Sequence, residues 1–272
     1  VRLQLLYSTV VFIAREPFRR ALPAGEQLDQ QDRKKLNSKN WAIVRTNFLC
    51  PFLAFLVGLP LTLAWIYLLE EPPEKFLKTY TLSTILYGLA ALAETLGEPA
   101  CAASHLASEF KLRIKAEGIA VGVRTFLTVF FVCVWVPGGG EASGCIGCEL
   151  YGFALAQLIS SVVYSAWLWL KAIPIIKVSK LESKSESLFE PTYLRLSGSF
   201  LAHSVVKQLL TEGERYVMTV TGLMTLAEQG VYDVINNLGS LVARLVFLPL
   251  EDCAYLVFTQ MLNREHKSNI AD

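Results

Sequence analysis

Asp233, Asn237, Ser240, Arg244 and Glu251 lie at offsets of 0, 4, 7, 11 and 18 residues. Helical periodicity puts those offsets on one narrow stripe, with Leu, Val, Phe and Ile on the opposite side. An upstream stretch repeats the device: Ser204, Gln208, Thr211 and Arg215 share a face, with Lys207 and Glu214 beside it. Cations, carboxylates and amides so arranged bind anions and hydroxyl groups, or pair with one another between helices. Arg215 with Glu212, or Arg244 with Asp233, would serve as structural pairs. If these stretches cross a bilayer, each ionised side chain at its centre costs at least about 2.5–3.5 kcal/mol. A stripe of several then favours a hydrated cavity.

Other chemistry-bearing residues are weaker signals. Glu94 and Glu98 flank Gly97 and precede Pro99, which reads as an interfacial helix end. Cys145 and Cys148 have metal or redox spacing, but no second pair accompanies them. A strained disulfide or two idle thiols fit better than a metal site. His105, His203 and His266 are scattered, and no nucleophile triad, HExxH motif, phosphate loop or dinucleotide fingerprint appears. An enzyme reading has no support, and no cofactor or metal is implied. The net charge of +1 lacks the basic signature of a nucleic-acid binder.

The elements that must carry these residues are membrane helices. Apolar residues make up 53% of the chain and charged residues 18%, against roughly a quarter charged in soluble domains. Residues 46–69 and 150–170 contain no charge, and about 20 apolar residues suffice to span a bilayer. The sequence predicts seven spans, at about 1–14, 46–69, 77–97, 118–136, 150–171, 197–224 and 229–262. Residues 15–45, 98–117 and 172–196 are rich in Lys and Arg, whereas 70–76 and 137–149 are acidic. Basic loops stay cytosolic, so the alternation puts residue 1 outside or in a lumen and residue 272 in the cytosol. Pro249 is expected to bend the last span, and Gly118 and Gly122 have the spacing of close helix contacts. The Ser-, Lys- and Glu-rich residues 177–196 read as a linker. That divides the chain into helices at 1–174, a cytosolic linker at 175–196 and a second helical part at 197–272. A start at Val1, inside an apolar pattern, reads as a fragment without its own N-terminus.

Residues 214–216 resemble the Glu-Arg-Tyr motif of seven-helix receptors. Here the triplet falls near mid-membrane in the sixth span, after a breaker at Gly213, which argues against a receptor. A longer match is more specific. Residues 209–218 (LLTEGERYVM) resemble the signature of the Rft family. Residues 6–9 (LYST) with 14–20 (AREPFRR), 94–99 (ETLGEP), and 230–244 (GVYDVINNLGSLVAR) with 249–251 agree, in order. The resemblance implies a two-lobed, roughly fourteen-helix fold like that of multidrug and lipid-linked-oligosaccharide exporters. This chain then supplies the later helices of the first lobe and the first two of the second. It also implies residence in the endoplasmic-reticulum membrane. The implied function is translocation of a dolichyl-pyrophosphate-linked heptasaccharide to the lumen for N-glycosylation, or assistance with it. The alternative is a non-transporting assembly factor that holds other glycosylation proteins. On the first reading, Arg15, Arg19, Lys207, Arg215 and Arg244 supply cations for the pyrophosphate. Glu214, Asp233 and Asn237 pair with them or bind sugar hydroxyls.

Overall fold

Two of the most apolar helical stretches turn large apolar side chains outward. Phe52, Phe55, Leu56, Leu59 and Leu63 stand exposed in one stretch, and Val121, Phe126 and Val129 in another. The interior holds, beside large apolar residues such as Leu5, Leu6 and Val10, the small or polar Ala90, Ala91, Ala102, Ala103, Ser83, Thr84, Gln157 and Ser161. In water each exposed Leu or Phe would forgo about 1.5–3 kcal/mol of burial. In lipid the inversion is favourable, and small interior residues let helices approach closely.

The computed structural model describes residues 1–26, 38–67, 76–107, 109–135, 148–180, 189–221, 224–241, 243–247, 249–251, 253–255 and 257–258. Every regular element among them is helical. They are α1 (Arg2–Glu26), α2 (Ser38–Thr46), α3 (Leu49–Tyr67), α4 (Leu77–Thr95), α5 (Glu98–Leu106), α6 (Phe110–Phe130), α7 (Cys148–Lys180), α8 (Pro191–Thr221) and α9 (Leu226–Gly239). A π-helical turn, Phe131–Trp135, extends α6, and another follows α9 at Ala243–Phe247. The stretches Trp41–Tyr67, Lys111–Cys133 and Glu149–Ile176 are long and apolar enough to cross a membrane. The chain is an all-α membrane protein.

Contacts divide the chain into two compact units, Arg2–Val220 and a second holding Thr221 onward. In the first, α4, α5 and α6 pack on α7, while α1 packs on α3, α4 and α5. Leu5, Leu6, Val10 and Ala14 of α1 meet Ala54, Tyr87, Ala90, Ala91 and Ala154 in its core. Buried Tyr193 anchors the start of α8 by donating to the Phe18 carbonyl at 2.9 Å. Its hydroxyl also accepts from Asn47 Nδ2 at 3.0 Å. In the second unit, α9 starts at a capping box in which Thr225 and Glu228 satisfy each other's backbone N–H groups. The Thr225 N–H and hydroxyl both donate to the Glu228 carboxylate, which favours its ionised form and holds this exposed carboxyl below its ordinary range.

Several local expectations change. Residues 15–26 belong to α1 rather than to a loop. An Arg20–Glu16 pair at 2.7 Å supports that turn in the i, i+4 register. Gly213 does not break α8: a helical Gly costs only about 1 kcal/mol against Ala, and side-chain anchors hold the helix on both sides of it. The last predicted span is not one uninterrupted α-helix, because α9 ends at Gly239 with Ser240 as its cap. The irregular turn Ala243–Phe247 lies just before Pro249. A proline lacks an N–H, and its ring clashes with the carbonyl four residues earlier, here on Leu245. At Gly118 and Gly122 nothing among the described residues lies within 4 Å of where a Cβ would stand, so this spacing makes no close helix contact among them. Cys145 lies outside the described residues, as do 27–37, 68–75, 136–147 and 181–188.

Candidate functional site

Arg15 and Arg19 are one turn apart on α1, and Glu94 and Glu98 straddle the α4–α5 turn with the same spacing. The two pairs meet. Arg15 Nη1 donates to Glu94 Oε1 at 2.7 Å. Arg19 grips Glu98 with both arms of its fork, Nε at 3.0 Å and Nη2 at 2.7 Å. Arg19 Nη2 also reaches the Tyr164 hydroxyl at 2.8 Å, and Nη1 reaches Glu117 Oε1 at 3.2 Å. Arg113 shares that Glu117 oxygen at 3.1 Å. Tyr7 donates to Glu94 Oε2. Three guanidinium groups thus face three carboxylates, and the Arg19 and Glu98 side chains are only 9% and 3% exposed. Matched charge and saturated hydrogen bonding are what make burial of ions at this depth tolerable.

The sequence builds this turn locally, and α7 holds it. Pro99 stands at the first helical positions of α5, where its missing N–H removes no bond. The carbonyls at the end of α4 lack helical partners. Ser165 of α7 donates to the Ala93 carbonyl, and Trp169 Nε1 donates to that of Leu96 at 2.9 Å. A Cβ on Gly97 would stand 3.0 Å from Ser165 Oγ and 3.2 Å from its Cα. Only glycine lets α7 approach closely enough to cap α4. His105, half-buried at the end of α5, has its pKa lowered to about 4 by burial, with Arg113 and Arg19 adding repulsion.

Polar contacts continue beyond the ion pairs. The Tyr7 hydroxyl lies 3.5 Å from Ser161 Oγ, which accepts from Gln157 Nε2 at 3.4 Å. Arg124 Nη1 of α6 donates to Gln157 Oε1 at 3.1 Å. On the α8 side, Thr9 Oγ1 lies 2.5 Å from the Tyr216 hydroxyl, and Gln208 Nε2 donates to that hydroxyl at 3.3 Å. Lys207 Nζ lies 3.8 Å from Glu16 Oε1.

Arg15, Arg19 and Lys207 are therefore brought to one element, α1, each opposite a carboxylate. Arg215 makes the local pair anticipated as structural, donating to Glu212 at 2.7 Å, and Glu214 is exposed. Of the expected α8 face, Ser204 and Gln208 are buried while Thr211 is exposed. In the second unit, Asn237 Nδ2 donates to Asp233 Oδ2 at 3.0 Å. Both are half-buried, whereas Val231, Val234, Ile235 and Leu238 stand exposed. Arg244 lies in the π-helical turn, and its side chain is outside the described residues. The sequence reading missed Glu117, Tyr164, Tyr7, Arg124, Gln157 and Ser161. The matching four-residue spacings of Arg15/Arg19 and Glu94/Glu98 were the available signal for the ion pairs.

The family model described as Rft protein matches residues 1–272. The chain belongs to the Rft family. Among curated proteins it is 37% identical over 287 residues to the Man(5)GlcNAc(2)-PP-dolichol translocation protein RFT1 of Mus musculus, covering 99% of this chain and 50% of that protein. The protein of the same name from Xenopus tropicalis is 34% identical over 274 residues, covering 98% and 49%. That from Saccharomyces cerevisiae is 25% identical over 306 residues, covering 98% and 53%. The chain spans about half the length of the curated relatives it matches. No solved structure matches it. The segments that resemble the Rft family fall on α1, the α4–α5 turn, α8, and α9 with the turn after it. The first two of these carry the four residues of the central ion pairs.

Proposed function

We propose that this chain is part of a membrane protein that moves Man5GlcNAc2-PP-dolichol between leaflets of the endoplasmic-reticulum membrane for N-glycosylation. The observation that carries the reading is the match along the whole chain to relatives named as translocation proteins of that lipid. Translocation asks for a polar path through apolar surroundings, not for catalytic groups. A polar network among α1, α4, α6, α7 and α8, inside helices whose outer faces are apolar, supports it.

In this reading the chain contributes seven spans to a two-lobed, roughly fourteen-helix protein whose lobes rock about a central site. Residues 1–174 belong to the first lobe, 175–196 to the cytosolic linker and 197–272 to the second. The head-group site draws on Arg15, Arg19, Lys207, Glu214, Arg215, Asp233, Asn237 and Arg244. The α1 pairs are the closed arrangement of that site, and an arriving pyrophosphate competes with Glu94 and Glu98 for the arginines.

Complementation tests the reading. The full-length protein containing this chain is expressed in Saccharomyces cerevisiae depleted of its own relative, and glycosylation of a reporter glycoprotein is followed. Rescue is expected, and at Arg215 and Arg244 lysine should rescue better than glutamine at equal protein level, because the cation is what binds. Full rescue by glutamine at both positions removes these arginines from the site. Failure of the unaltered protein, correctly inserted, rejects the function.

A further inference from the structure

Arg124 sits near the middle of the membrane-length stretch Lys111–Cys133, roughly 20 Å along the helix from Lys111 and about 14 Å from Cys133 at 1.5 Å per residue. An arginine at that depth ordinarily pairs with an opposite charge or with backbone carbonyls. Its hydrogen bond, at 3.1 Å, goes instead to the neutral amide oxygen of Gln157, and no carboxylate among the described residues forms an ion pair with it. Glu94 lies within its electrostatic range, but that carboxylate is bonded by Arg15 and Tyr7. Gln157 and Ser161, 3% and 1% exposed, stand behind it and continue the polar chain to Tyr7.

The arginine itself is half-buried. Beside it on α6 the neighbouring Thr125, Phe126 and Val121 are exposed. The position therefore opens toward the apolar surroundings. A ligand reaching it from the bilayer must carry its own anion and keep its tail in lipid.

We infer that Arg124, backed by Gln157 and Ser161, is a binding site for the phosphate of an anionic lipid, entered sideways from the bilayer. Resting on the proposed function, the lipid is the polyprenyl pyrophosphate. The guanidinium fork takes two phosphate oxygens, while Gln157 holds the fork in place and the Gln157–Ser161–Tyr7 chain offers partners for hydroxyl groups. The same chemistry fits the head of an ordinary anionic phospholipid, so the test must separate the two.

The full-length protein is placed in phosphatidylcholine nanodiscs and titrated with dolichyl diphosphate, phosphatidic acid and dolichol, with binding read by native mass spectrometry. Loss of a charge-assisted bond predicts that Arg124→Gln weakens dolichyl diphosphate about ten-fold or more. Arg124→Lys should stay within about three-fold, since the cation remains. Dolichol binding should not change. Gln157→Glu is nearly isosteric and gives the arginine a carboxylate to pair with. It should mask the site as Arg124→Gln does, and it keeps the test valid if Arg124→Gln fails to fold. Dolichyl diphosphate binding that is tight in every variant overturns the site but leaves the proposed function standing. Arg124-dependent binding of phosphatidic acid without dolichyl diphosphate keeps an anionic-lipid site and rejects the proposed function's substrate. Binding of neither anionic lipid by the unaltered protein overturns the site.

Discussion

Arg19 bonds three side chains, one each from α5, α6 and α7. Arg19→Gln leaves Glu98 buried without its counterion, which should destabilise the chain by about 3–5 kcal/mol. Adding Glu98→Gln should restore a large part of that loss, and a double-mutant cycle on thermal unfolding in detergent measures the coupling. Two additive losses would show that the fork contributes nothing of its own. His105 supplies a pH signature. Its folded pKa of about 4 lies below the ordinary 6.5, so the unfolded chain takes up the proton first. Stability from this residue is complete above about pH 6.5 and declines as pH falls toward 4. The melting temperature should fall between pH 7 and 5, and His105→Gln should flatten that part of the profile. The charges themselves were readable in the sequence, but their partners were not. Glu117 is 98 residues from Arg19, and nothing local encodes which carboxylate an arginine will meet. Glu94 and Glu98 read as a helix end, and they are one. That the same residues also bind α1 became visible only when two four-residue spacings were laid side by side in space.

At the scale of elements, the α4–α5 turn depends on contact with α7. Gly97→Ala pushes a Cβ against the Ser165 backbone and should cost about 1–3 kcal/mol, as overpacking does. Gly118→Ala and Gly122→Ala meet open space and should be neutral or stabilise α6 by up to about 1 kcal/mol. Melting temperatures of the three variants check both statements, and a large loss at Gly118 would mean that its face is packed after all. Helix existence was legible because long charge-free runs leave few alternatives in a bilayer. Helix ends and breaks were less so. Gly213 punctuates the sequence but not α8, since Gln208 and Tyr216 hold that helix against Thr9 on either side of it. The α9 stripe was expected to run to Glu251, yet the helix ends at Gly239. Propensity signals of about 1 kcal/mol yield to side-chain packing wherever the two conflict.

The whole molecule was legible as an all-α membrane protein because inside-out polarity is forced by the solvent. Three membrane-length apolar stretches, Trp41–Tyr67, Lys111–Cys133 and Glu149–Ile176, overlap the predicted spans at 46–69, 118–136 and 150–171. The arrangement of the remaining predicted spans rests on loop charge, and topology labelling checks it. With the native cysteines removed and the full-length protein in sealed microsomes, Lys35→Cys and Lys184→Cys should react with an impermeant reagent. Glu71→Cys and Gly139→Cys should not, and labelling of Gly139→Cys alongside Lys35→Cys overturns the orientation. The central claim, that the protein itself carries the lipid across, is tested most directly by reconstitution. Purified full-length protein is incorporated into phosphatidylcholine vesicles containing Man5GlcNAc2-PP-dolichol, and the fraction of the oligosaccharide open to an external mannosidase is followed. Transport predicts that the accessible fraction rises from the outer-leaflet share to nearly all of the lipid, faster than in protein-free vesicles. An accessible fraction that stays at the outer-leaflet share, in vesicles shown to hold folded protein, would contradict it and leave assembly of other proteins as the function.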